Sequence, residues 1–253
     1  MYTQLKHELY KLNHRKLPWI IITLMLFFMI IIGLAMGRTY SNLLVMTCYD
    51  SSTIIMLILV IVGSTIFSME FQYGTIIPLI YRSSSRSAVF FAKFITLFLY
   101  DFVLHIAAMI LTVLLNIVPI INAPVFWAAI YKYHQPLVVN MFMNTGVDLI
   151  TSTLIISLIC LTSCLINSNT VVIAINALII FMGSDLSSSL LLAHVGPSSI
   201  VPFNMLNLTT QYYNYATYHV TSMLSNAQLL TGTLCYTVVF LLLSYWAFSW
   251  KKF

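Results

Sequence analysis

The chain has 253 residues, of which 60% are hydrophobic and 7% charged, with a mean hydropathy of +0.97 and a formal net charge of +5. A soluble domain carries roughly 25% charged residues, so this composition cannot build a water-facing surface, whereas it can build a lipid-facing one. The 11 basic residues stand beside apolar runs, which reads as membrane anchoring and sets aside nucleic acid as a partner.

Backbone groups in lipid must be paired internally, so only helices or a closed barrel can span. The apolar runs are continuous rather than alternating, which selects helices. Residues 1–16 come first: Tyr2, Leu5, Leu9 and Leu12 recur at helical spacing among Lys6, Lys11, Arg15 and Lys16. That pattern predicts an amphipathic helix lying on the membrane surface. The apolar stretch from Pro18 to Met36 is too long for a signal peptide and no A-x-A site follows it, so it is expected to be a retained first span. Further spans are expected at about 51–69, 88–116, 147–166, 170–192 and 229–250, each near the ~20 residues a bilayer needs. The third is longer than required, which predicts tilt or projection beyond the membrane. Asn167-Ser168-Asn169 is a tight turn between the fourth and fifth. Stretches 117–146 and 193–228 are rich in Asn, Tyr and Pro, with Trp127 in the first, and nearly uncharged, which suits the headgroup layer and includes room for re-entrant helices.

Counting Lys and Arg orients the chain. With the N-terminus inside, Lys6, Lys11, Arg15, Lys16, Arg82, Arg86, Lys93, Lys251 and Lys252 lie inside, and only Arg38 and Lys132 lie outside. Both termini are therefore expected in the cytoplasm. The four cysteines (Cys48, Cys160, Cys164, Cys235) lack zinc spacing. Cys160 and Cys164 share a helix face, as small packing residues do. The thirteen methionines are scattered and read as plastic apolar packing rather than a soft-metal path.

The connection between spans two and three carries the most information. It runs Glu70-Phe-Gln-Tyr-Gly-Thr-Ile-Ile-Pro-Leu-Ile-Tyr-Arg-Ser-Ser-Ser-Arg, with Lys93 beyond. A plain loop would be short and hydrophilic. Here an acid at the membrane edge precedes Gly74-Thr75, an apolar run from Ile76 to Tyr81, and two arginines. Thr75 is placed to cap a short helix that would present Ile77, Leu79, Ile80 and Tyr81 to a partner groove or the interface. Arg82 and Arg86 would face phosphates or acidic partner residues.

On Glu70, Gly74, Thr75, Arg82, Arg86 and Lys93 the chain resembles the permease subunits of ABC-2 type transporters, which place an E-(x)3-G-T signature after the second span, then a coupling helix and a basic sequence. The amphipathic start, six spans and cytoplasmic termini fit the same family over the whole chain. Its size and Phe-rich end (Trp250-Lys251-Lys252-Phe253) are most similar to small peptide-handling members: lantibiotic-immunity, bacitracin-resistance and phenol-soluble-modulin exporter permeases. One departure is Ser83-Ser84-Ser85 where the family usually has a helix-opening proline; Pro78 lies earlier. The resemblance implies a bacterial plasma-membrane protein, all-α, with two copies of a separate ABC ATPase docking on residues 70–86 and a second permease as homo- or heterodimer. The chain has no G-x-x-x-x-G-K-[ST] loop, so ATP and Mg are expected in the ATPase and no cofactor in this chain. On these residues Glu70, Gly74, Thr75, Ile77, Leu79, Tyr81, Arg82 and Arg86 would couple to the ATPase.

Ionisable groups inside spans are expensive and usually face a partner or cavity. Asp101 and His105 stand one turn apart, with Asp101 about 20 Å along the helix from Ala88. They line the substrate route or dimer interface, or else form a packed pair satisfied within the subunit. Asp148, Asp185 and His194 are expected as solvated rim groups, and Glu70 as a cap or an arginine's partner. Asn207-Leu208-Thr209 reads as a chance sequon. Against an intramembrane enzyme, His-Glu-x-x-His and G-x-S-x-G are absent, and Asp101 with Gly183-Ser184-Asp185 only faintly resembles an aspartyl dyad. A proton-coupled carrier using Asp101 and His105, or a non-transporting immunity or sensor subunit, remains the alternative to an exporter of an amphipathic peptide or lipid-associated substrate.

Overall fold

The computed structural model describes residues 2–14, 17–81, 83, 85–118, 125–192 and 198–251. The described residues are 85% helical, with no strand among them beyond an isolated antiparallel bridge between Ile130 and Pro136. The helices are α1 (Tyr2–Asn13), α2 (Leu17–Met36), α3 (Ser41–Met46), α4 (Ser51–Gln72), α5 (Ile76–Tyr81), α6 (Arg86–Ile117), α7 (Leu137–Leu165), α8 (Asn169–Leu192), α9 (Pro202–Met205), α10 (Leu208–Tyr213), α11 (Tyr215–Ser222) and α12 (Asn226–Trp250). Five of these, α4, α6, α7, α8 and α12, are each long and apolar enough to cross a membrane; a sixth is counted if the bent pair Ile20–Met36 and Arg38–Met46 is one span. The pair turns by 105° at Gly37, whose φ of 69° and ψ of −178° belong to a region only glycine occupies readily.

α7 is the central helix. It packs against α12, α4 and α6, with α10 and α3 completing its cover. Lipid offers no hydrophobic drive for helix association, so close packing and internal polar contacts hold such a bundle. Small side chains serve the close packing: Ser64 and Ser68 of α4 and Ser157 and Ser163 of α7 are all buried. At one end Phe67, Phe90 and Phe248 of α4, α6 and α12 pack edge to face or tilted, with Phe90 centroids 6.0 and 5.6 Å from the other two.

The fourth span departs from expectation: α7 begins at Leu137, not near 147. Asn140, Asn144 and Asp148 stand in its N-terminal half. They fall at i, i+4 and i+8, so they share one helix face, and that face is fully buried. Asp148 is therefore no rim group. The segment before it is a tight turn in which Asn140 Nδ2 donates to the carbonyls of Lys132 and Gln135, both at 3.1 Å. The third span is indeed long: 32 residues, about 48 Å at 1.5 Å per residue.

At the end opposite α5, α9, α10 and α11 fold over α7, α8 and α12. Buried carboxamides fix this layer: Asn204 Nδ2 donates to the carbonyls of Ser199 and Ser222 at 2.8 and 2.9 Å, and Gln211 Nε2 to Leu224 O at 2.8 Å. Asn207 of the sequon is buried and donates to Asn204 Oδ1.

Candidate coupling site

α4 ends where Tyr73 N–H bonds to Met69 O and Gly74 N–H to Phe71 O. Gly74 has φ +67° with open space where a Cβ would stand, so backbone conformation alone calls for glycine there. The chain then enters α5. Position N3 of this helix is Pro78, which has no N–H, and the Ile77 amide is bonded to Gly74 O at 3.4 Å. The expected Thr75 cap thus has no third-position amide to accept from. Ile76 is buried, and Leu79 and Ile80 pack against the core. Ile77 and Tyr81 are exposed beside Tyr73. Of the four side chains expected to be presented, two are turned outward and two inward.

Glu70 lies in a network that joins three helices. Lys93 of α6, 1% exposed, places Nζ 2.9 Å from Glu70 Oε2 and 3.6 Å from Glu8 Oε2 of α1, and donates to Ile66 O at 3.0 Å. Lys11 of α1 lies 3.0 Å from Glu8 Oε1 and 3.2 Å from Glu70 Oε1. Two acids and two lysines balance, as buried charges require. Burial disfavours the Lys11 ammonium, but Glu8 and Glu70 outweigh that and raise its pKa above the ordinary lysine value. Among the described residues the partners of Glu70 are thus lysines. Glu8, missed in the sequence, sits within the Leu5, Leu9 and Leu12 stripe and is buried where α1 docks on α6; an acid on an apolar face was the available signal. Glu8, Lys11, Glu70, Thr75, Leu79 and Tyr100 share a cavity of about 360 Å³.

Arg82 lies outside the described residues. Arg86, expected to face a partner, reaches instead to the C-terminus of α12, where Nη1 donates to Ser249 O at 2.9 Å and Lys251 O at 3.4 Å. Terminal helix carbonyls lack internal partners and carry partial negative charge, which suits a guanidinium. Two further contacts tie the same end together. Lys251 Nζ donates to Cys164 O of α7 at 2.8 Å and lies 4.1 Å from the Phe71 ring, and Asn169 N–H of α8 donates to Gln72 Oε1 at 3.1 Å. Ser85 takes the place of the family's usual proline: its hydroxyl accepts from Ala88 N–H at 3.1 Å as the N-cap of α6.

Asp101 and His105 meet between α6 and α7. His105 Nδ1 lies 3.0 Å from Asp101 Oδ1 and 3.0 Å from the Asp101 carbonyl. Ser152 of α7 donates to Asp101 Oδ2 at 2.5 Å. Both are buried, and Asn144 donates to Asp148 Oδ2 at 3.0 Å one turn away. Asp185 is exposed on α8, so the two aspartates of the faint dyad have opposite surroundings; His194 lies outside the described residues. Among the described residues no group of three or more His, Cys, Asp or Glu is placed to hold a metal ion.

The family model described as ABC-2 family transporter protein matches residues 4–183, which takes in most of α1, residues 70–86, the Glu70 network and the Asp101 cluster. No curated protein matches the chain. The matched family consists of membrane subunits that work with an ABC ATPase. With five or six apolar spans in this structure, the chain is a multi-pass membrane subunit of an ABC transporter and belongs to the ABC-2 family.

Proposed function

We propose that this subunit is the permease of an exporter whose ATPase docks on residues 70–86, with α5 as the coupling helix. The observation that carries the reading is α5 itself: a short helix at the end of a span with Ile77 and Tyr81 exposed and its root at Glu70 held by α1 and α6. Ile77 and Tyr81 offer a partner two neighbouring anchors on one short helix. A push on α5 would pass through Glu70 and Lys93 to α6, and closure of the ATPase would shift the population between two states of the bundle.

The excess of Lys and Arg at the α5 end supports cytoplasmic termini in a bacterial plasma membrane, with α1 at the interface. The pathway would be completed by a second permease copy or a related chain, and two ATPase copies would bind ATP and Mg. We assign the cargo to amphipathic or lipid-associated peptides because the layer of α9, α10 and α11 is nearly uncharged. A role in resistance to antimicrobial peptides follows from that cargo. The test is affinity purification from the native membrane, wild type beside Ile77→Asp/Tyr81→Asp, read for a co-purifying ATP-binding subunit. The pair should lose it while retaining the elution profile of wild type. Absence of any ATPase with wild type refutes the reading. Arg86 is a poorer probe, since its loss also frees α12.

A further inference from the structure

A second cavity, of about 550 Å³, opens between α1, α2 and α6, within the roughly 300–1,000 Å³ of small-ligand sites. On the α1 wall Lys6, Tyr10 and Asn13 stand beside Leu9 and Leu12, and the walls from α2 and α6 are apolar apart from Tyr100. Lys93 sets the level at which α1 meets α6. Residues 99–104 lie six to eleven positions further along α6, about 9–16 Å deeper. The cleft is therefore apolar over most of its wall, with its one lining cation, Lys6, on the α1 side.

The charge at the mouth is uncompensated. Glu8, Glu70, Lys11 and Lys93 cancel among themselves, and Lys6 is exposed without an ion-pair partner among the described residues. Tyr100 belongs to the walls of both cavities. It is buried, and its hydroxyl has no hydrogen-bond partner among the described residues, a donor left open at the boundary between the charged and apolar parts.

We infer that this cleft binds one anionic phospholipid from the leaflet on which α1 lies. The phosphate pairs with Lys6, a glycerol-ester carbonyl accepts from the Tyr100 hydroxyl, and an acyl chain runs along Ile22, Val103 and Leu104. The leaflet is the inner one on the orientation proposed above; the site itself does not depend on that orientation or on the cargo.

Native mass spectrometry of the full chain in mild detergent, titrated with dioleoyl phosphatidylglycerol and dioleoyl phosphatidylcholine, tests this. Wild type should retain the anionic lipid about fivefold better, the effect of one lysine near an anionic head. Lys6→Glu should abolish that preference and leave phosphatidylcholine unchanged. Tyr100→Phe should weaken both lipids about fivefold, one hydrogen bond's worth. Val103→Trp should displace both, whereas Val113→Trp should displace neither; Val103 and Val113 are both exposed on α6, so each variant tolerates the bulk. Equal retention of the two lipids by wild type overturns the proposal, as does a preference that survives Lys6→Glu. Equal effects of the two tryptophans would reduce the cleft to ordinary lipid contact and overturn it too.

Discussion

Replacing Lys93 by methionine keeps the length of the buried stem beside Phe67 but removes the ammonium that sits 2.9 Å from Glu70 and 3.0 Å from the Ile66 carbonyl. What remains is Glu8, Glu70 and Lys11, a set with one excess negative charge. Breaking a buried ion pair by removing one partner costs about 3–5 kcal/mol. Lys11 still stands within 3.0 and 3.2 Å of the two carboxylates and Glu70 is 17% exposed, which places the loss near the lower end, about 3 kcal/mol. At roughly 2–4 °C per kcal/mol for a chain of this size, the thermal midpoint should fall by about 6–12 °C. The diagnostic is a change of sign. Glu8→Gln alone should destabilise, because it leaves two lysines facing one acid. In the Lys93→Met background the same substitution should stabilise by about 1–2 kcal/mol, because it restores neutrality. Circular dichroism melts of the four chains in detergent read both numbers. A Lys93→Met midpoint equal to wild type, or Glu8→Gln destabilising in both backgrounds, would refute the charge balance.

Four further outcomes are expected. Lys11→Met should be less stable than wild type by a constant margin at neutral pH. Since the native pKa of Lys11 is raised, its contribution is fully present below the ordinary value of 10.5 and fades above it, so melts of the two proteins should converge in strong alkali. Asp101→Ala should cost about 2–3 kcal/mol by removing the carboxylate that meets both His105 and Ser152 and leaving each only a backbone carbonyl of its own helix, while Asp185→Ala, exposed on α8, should stay within about 0.5 kcal/mol in the same melts. Gly74→Ala should cost about 1 kcal/mol from its positive φ alone, with Gly74→Asn milder. Ser85→Ala should cost about 1 kcal/mol as a lost cap of α6, visible as earlier hydrogen exchange of the amides of residues 87 and 88.

The cluster at the α5 end explains why coupling residues and structural residues are hard to separate here. Arg86 and Lys251 hold the C-termini of α12 and α7, and Gln72 receives the first amide of α8. A movement of α5 and the α6 N-terminus would therefore act on all three helices at once. Substitutions at Ile77 and Tyr81, whose exposed side chains make no hydrogen bond or ion pair among the described residues, separate docking from stability.

The spans and the short helix after Gly74 were legible in the sequence because lipid leaves the backbone no alternative: an apolar run of the right length must be helical. The family pattern on Glu70, Gly74 and Thr75 was equally local. What the linear order could not supply was which polar group meets which. Asn140, Asn144 and Asp148 look like headgroup residues until α4, α6 and α12 close around α7 and turn their common face inward. Glu8 looks solvated until Lys93, 85 positions later, approaches it, and Arg86 looks outward-facing until α12 ends beside it, 163 residues on. Periodicity is a property of neighbours along one helix, whereas neutralising a buried charge takes a partner from another. Only the packing of the bundle decides that partner.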